Sequence, residues 1–110
     1  MRENNMGTKD LAIARHFKSL VEQKIAPHEI RIFGSRARGT ETEDSDLDIF
    51  ISVNNCTREI EKYISDCAWE AGFPEDVLVV PVVVDQERLV HGPLRDSAFM
   101  CNVFREGISV

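Results

Sequence analysis

Long apolar runs are missing from this chain. Nothing approaches the roughly 18 consecutive apolar residues of a membrane span, and the opening MRENNMGTKD has no apolar signal core. A basic excess is missing too. Thirteen Lys and Arg stand against nineteen Asp and Glu, for a net charge of −6 and a pI near 5.0, and the basic residues are scattered. Broad nucleic-acid binding needs a basic face, so recognition of phosphate has to be local. Cysteine is sparse: Cys56, Cys67 and Cys101 form no CxxC pair, which excludes a disulfide framework, speaks against a zinc site and reads as reduced thiols. His16, His28 and His91 form no HxxxH pair. The expected compartment is the cytoplasm, with no membrane association. Repeats, low-complexity tracts and linkers are absent, and 110 residues suit a single domain over 1–110 with a frayed start at 1–7.

What is present is ordinary globular material with hydrophobic periodicity. Leu11, Ile13, Phe17, Leu20 and Val21 recur at helical spacing between Thr8 and Lys24, with Pro27 just beyond. EIRIF alternates and stops at Gly34, as a short strand does before a tight turn. In SDLDIFISV, Leu47, Ile49, Ile51 and Val53 share one face and Asp46, Asp48, Phe50 and Ser52 the other. Ile60, Tyr63, Ile64, Cys67, Ala68 and Ala71 form a helical stripe that Asn55 or Thr57 can cap and Gly72 and Pro74 end. VLVVPVVV, Val77 to Val84, reads as a strand buried on both faces, with Pro81 marking an edge or a local irregularity. After the Gly92-Pro93 turn, a helix from about Arg95 to Glu106 is expected, with Asp96 or Ser97 near its cap and Gly107 as its stop. The order helix, strand, turn, strand, helix, strand, helix implies an α/β (α+β) fold, a small mixed sheet flanked by helices.

One stretch concentrates both signs of charge: IFGSRARGTETEDSDLDIF, Ile32 to Phe50. Gly34 has no Cβ, so a phosphate can approach the backbone, and the N–H groups of a turn leading into a short helix from about Ser35 would face it. Ser35 adds a hydroxyl. Arg36 and Arg38 add fixed positive charge and paired donors. Asp46 and Asp48, two apart on a strand, project from one face, where like charges repel unless a divalent cation sits with them. Hard oxygen ligands with open positions suit magnesium shared with substrate phosphates. The donors therefore face phosphate and the carboxylates face metal.

Gly34-Ser35, ten intervening residues, then Asp46-Leu47-Asp48 resembles the pattern of the nucleotidyltransferase superfamily that includes DNA polymerase β, and most of all its minimal nucleotidyltransferases. The likeness extends over most of the chain, although only residues 30 to 53 are specific. It implies the nucleotidyltransferase fold and transfer of a nucleoside monophosphate, AMP from ATP or another NTP, to an acceptor, with two magnesium ions and release of pyrophosphate. It also implies a HEPN-type partner, the two forming a toxin-antitoxin pair in which AMP is added to a tyrosine of the toxin. Asp46 and Asp48 would then be the catalytic metal ligands, and Gly34, Ser35, Arg36 and Arg38 the nucleotide-binding residues.

Members of that superfamily place a third carboxylate on the following strand. Here that strand has none, and Glu75, Asp76 and Asp85 flank it. This favours a second reading, a nucleotide-binding module that neutralises its partner by binding alone. Plainer readings also stand beside the functional ones. Asp46 and Asp48 can be a polar strand face, Arg31, Arg36 and Arg38 surface ion pairs, and Glu41, Glu43 and Asp44 solvated loop charges. Trp69 is expected to be partly buried, and Tyr63 to belong to the core.

Overall fold

The computed structural model describes residues 8–34 and 46–110. Helix α1 (Thr8–Glu22) leads to β1 (Glu29–Phe33) and β2 (Leu47–Val53). Helix α2 (Arg58–Gly72) and a 3-10 turn (Phe73–Glu75) precede β3 (Val79–Asp85). Then come a short helix α3 (Gln86–His91), a 3-10 turn (Pro93–Asp96), α4 (Ala98–Glu106) and the two-residue β4 (Ile108–Ser109). Among the described residues the sheet order is β3-β2-β1-β4. β1 pairs antiparallel with β2 and with β4, whereas β2 and β3 run parallel, as a crossover through a helix requires.

The alternation in β2 splits the molecule into two apolar layers. Leu47, Ile49, Ile51 and Val53 join Ile30 and Ile32 beneath α1 and α2, against Phe17, Val21, Ile64 and Ala68. On the opposite face Phe50 packs with Val84, Leu89, Met100 and Val103, drawn from β3, α3 and α4. A strand covered on both sides has no place for an unpaired charge. Asp48 is nevertheless part of it, and it is the one residue of β2 that is not buried.

Local chemistry sets the ends of the elements. The Thr57 hydroxyl accepts from the Ile60 N–H at 3.2 Å and caps α2. At the other end of α2 the chain folds back so closely that a Cβ on Gly72 would lie 2.2 Å from the Val77 carbonyl oxygen. Ser97 caps α4 through the Met100 N–H.

The structure departs from the sequence expectations at four places. Among the described residues β3 is an edge strand and most of its residues are only half-buried; both of its faces are covered, Val79 and Val83 by the layer under α1 and α2 and Val82 and Val84 by the layer around Phe50, and its exposure comes from the open edge. Pro81 sits on that edge without disturbing the pairing, which runs unbroken from Leu47 opposite Val79 to Val53 opposite Asp85. α3 and β4 were not expected. Trp69 is exposed and not partly buried, whereas Tyr63 is half-buried and donates its hydroxyl to the Leu20 carbonyl.

Candidate active site

Phe33, the last residue of β1, pairs with Asp48, and the chain turns immediately afterwards at Gly34 with φ +81°. That is the left-handed region, which L side chains avoid. A second constraint acts on the same atom. A Cβ on Gly34 would lie 2.5 Å from Asp48 Oδ2, so the backbone of the turn rests against the carboxylate. The antiparallel pairing of β1 and β2 thus brings together the glycine bend and the second acid of the Asp-x-Asp pair.

Asp46 lies just before β2 and is exposed. The next N–H, that of Leu47, already donates to the Leu78 carbonyl at 2.9 Å, so pairing with the β3 segment begins there. Burial pushes the Asp48 carboxyl above the usual carboxylate range, and the neighbouring Asp46 charge pushes it further. A divalent cation on this pair would reverse both effects. Two hard oxygen donors at a partly open edge are a donor set that fits magnesium. Ser35, Arg36 and Arg38, the other expected members of the site, lie outside the described residues, as do Glu41, Glu43 and Asp44. Arg31 is engaged elsewhere: it forms an ion pair with Glu29 and lies over the Phe104 ring at 5.2 Å.

The flanks of β3 supply no evident third carboxylate. Asp85 pairs in register with Val53, at the far end of β2 from Asp48, which is roughly 16 Å away at a strand rise of about 3.3 Å per residue. Its carboxylate is also occupied. It accepts from Cys56 N at 3.2 Å, Glu87 N at 3.0 Å and Arg88 N at 3.4 Å, and these backbone donors, Cys56 foremost, hold its pKa low. Asp85 caps α3. Glu75 lines a cleft with Lys9, Ile13 and His16 of α1, on the face of the sheet opposite Asp48. Asp76 ends the 3-10 turn in a left-handed conformation. Directly opposite Asp48 on β3 stands Val80.

Two other features are separate from this edge. A concavity of about 640 Å³ lies beyond the end of β3, lined by Arg88, His91 and Leu94 among others, and it shares no residue with the Asp48 edge. Burial raises the pKa of both the Cys56 and Cys67 thiols, so neither has the thiolate character of a nucleophile.

Residues 13–95 match the sequence profile of the nucleotidyltransferase domain. The chain belongs to that family. The match begins in α1 and ends within the 3-10 turn before α4, so it spans both halves of the candidate site. Among solved structures, this nucleotidyltransferase domain resembles one described as a toxin-antitoxin with AMP-PNP, at 22% identity and a TM-score of 0.58, covering 87% of this chain and 70% of that one. At that identity the likeness establishes the fold. A structure from Sulfolobus solfataricus described as a nucleotidyltransferase is 19% identical, with a TM-score of 0.40 over 94% of this chain and 86% of the other. No curated protein sequence matches the chain.

Proposed function

We propose that this nucleotidyltransferase domain transfers a nucleoside monophosphate, AMP from ATP, to an acceptor on a partner protein, and that it does so as the antitoxin of a toxin-antitoxin pair. The observation that carries this reading is the packing of the Gly34 backbone against the Asp48 carboxylate, which sets a bend suited to phosphate beside an acid suited to metal. The family membership supports it. So does the structural neighbour, which was solved with a toxin and a non-hydrolysable ATP analogue.

In this reading Asp46 and Asp48 hold magnesium, two ions in the working complex. When bound, the metal supplies charge neutralisation on the triphosphate and lowers the pKa of the attacking hydroxyl. Gly34 and Ser35 offer backbone and hydroxyl donors to the triphosphate, and Arg36 and Arg38 steady its oxygens. The acceptor oxygen bonds to the α-phosphorus, the bond to the α–β bridging oxygen breaks, and pyrophosphate leaves with that electron pair. The acceptor proton passes to solvent or to an Asp-x-Asp carboxylate. The partner that the sequence resemblance implies is HEPN-type, with a tyrosine hydroxyl as acceptor.

A second reading is favoured by one specific observation: β3 presents Val80 and not an acid opposite Asp48. On that reading the chain binds magnesium and nucleotide but neutralises its partner without turnover. Incubation of the domain with the co-encoded partner, ATP and magnesium, followed by intact-mass spectrometry, separates the two. Transfer adds the mass of an AMP group to the partner, and Asp46→Asn abolishes the addition. Equal neutralisation by wild type and Asp46→Asn with no mass change establishes binding alone and removes the transferase.

A further inference from the structure

Helix α2 turns Ile64, Cys67, Ala68 and Ala71 into the core. At about 100° per residue, its opposite side carries Lys62, Asp66, Trp69 and Phe73. That side should be polar. Yet Trp69 is 62% exposed and Phe73 65%, their rings stacked at 5.1 Å between centroids with a tilt of 33°. Leu78, just beyond the following 3-10 turn, is 55% exposed. Single exposed apolar residues are commonplace. An aromatic pair held on the solvent side of a helix by its own ring contact is a different matter, because Trp is the side chain most enriched at the energetic centres of protein interfaces.

Among the described residues the charge around the pair is mainly negative, with Lys62 on the same helix side and Lys9 in the cleft beside Glu75 as the nearby cations. Asp66, Glu70, Glu75 and Asp76 are all exposed, and between Lys62 and Arg88 the sequence has no Lys or Arg. Lys62 is itself engaged with Asp66 at 3.4 Å. The last turn of α2 has no basic residue, so the negative end of the helix dipole adds to the same field.

We infer that the Trp69-Phe73 face docks a partner protein whose surface offers an apolar pocket flanked by Lys or Arg. A second copy of this chain would bring the same four carboxylates into a self-complementary interface, where they repel. An anionic membrane surface would be repelled likewise. The inference does not rest on nucleotidyl transfer, since a partner can dock here whether or not the Asp48 edge turns over.

Trp69 is the only tryptophan, so its fluorescence reports this face directly. Two synthetic helical peptides with the same apolar stripe, one flanked by Lys and Arg and the other by Glu, are titrated into the full chain. The basic peptide is expected to shift Trp69 emission to the blue saturably, to bind more weakly as salt rises, and to lose about tenfold in affinity with Phe73→Ala, a truncation at an exposed interface position. The melting curve of Phe73→Ala should match wild type, because Phe73 contributes nothing to either buried layer. An equal response to both peptides, or a response to neither, overturns the inference. So does a blue shift that grows with protein concentration alone alongside a dimer in light scattering, or one produced by anionic lipid vesicles.

Discussion

The backbone of Gly34 packs against the carboxylate of Asp48, so tightly that no Cβ fits between them. The two residues are joined by the end of the β1–β2 ladder, where Phe33 pairs with Asp48, and the bend cannot shift without pulling on a strand in the middle of the sheet. The first prediction concerns this contact. Gly34→Ala forces an L residue to φ +81°, which costs about 1–2 kcal/mol, and in addition displaces the Asp48 side chain. We expect the loss in chemical denaturation together with a loss of magnesium-dependent ATP binding in calorimetry. Unchanged ATP titrations in a correctly folded variant would remove the bend from the site.

Asp48 predicts an inverted pH dependence. Its carboxyl is raised by burial and by Asp46, so the folded chain binds more protons than the unfolded one just above the ordinary carboxylate range. The stability contributed by protonated Asp48 is full below the unfolded pKa and is lost as pH rises through the folded value. Without metal, Asp48→Asn should therefore melt higher than wild type at neutral pH, and the advantage should shrink on acidification. Magnesium should raise the melting temperature of wild type and not of the variant. A variant that melts below wild type at neutral pH contradicts the assignment.

Val80 predicts a gain. It stands opposite Asp48 in the parallel ladder and is only half-buried, so an acid there meets partial solvent and two like charges. Val80→Asp should lower metal-free stability by about 1–3 kcal/mol and tighten manganese binding in paramagnetic resonance titrations. If affinity is unchanged, β3 does not border the metal.

Asp85 predicts the reverse of a catalytic residue. Its low pKa comes from backbone donors at Cys56, Arg88 and Glu87, so its stabilising contribution is present above the unfolded carboxylate pKa and disappears as pH falls through the depressed folded value. Asp85→Ala should lower the neutral melting temperature, converge with wild type in acid, and leave ATP binding intact. Loss of ATP binding in the folded variant would make Asp85 part of the site after all.

Much of this arrangement was legible in the sequence because it rests on short-range periodicity. The alternation of LDIFISV assigns each side chain to a face without knowledge of its neighbours, and the two layers built on Phe50 and on Ile49 follow that assignment. EIRIF was bounded by a glycine whose dihedral angle required it. The failures concern what lies across space. VLVVPVVV has the same composition at the edge of a sheet or in its middle, and only the strand order shows that, among the described residues, nothing pairs with its outer edge. Asp85-Gln86-Glu87-Arg88 carries a helix-cap signal, which competes in the sequence with the catalytic reading of an acid after a strand. Residue type alone suggests partial burial for Trp69, although its helical phase puts it opposite the buried stripe. Of the expected site, the structure brings together Gly34 with Asp48, and Asp48 with Asp46. Ser35, Arg36 and Arg38 belong to the segment outside the described residues.

Pro81 has a consequence for assembly. A row of unsatisfied amide groups on an outer strand invites a neighbouring chain to extend the sheet, which is a common route to unwanted aggregation. At Pro81 the β3 rim has no amide hydrogen to offer an incoming strand. An association built along this rim therefore has to be made by side chains and not by an extended ladder.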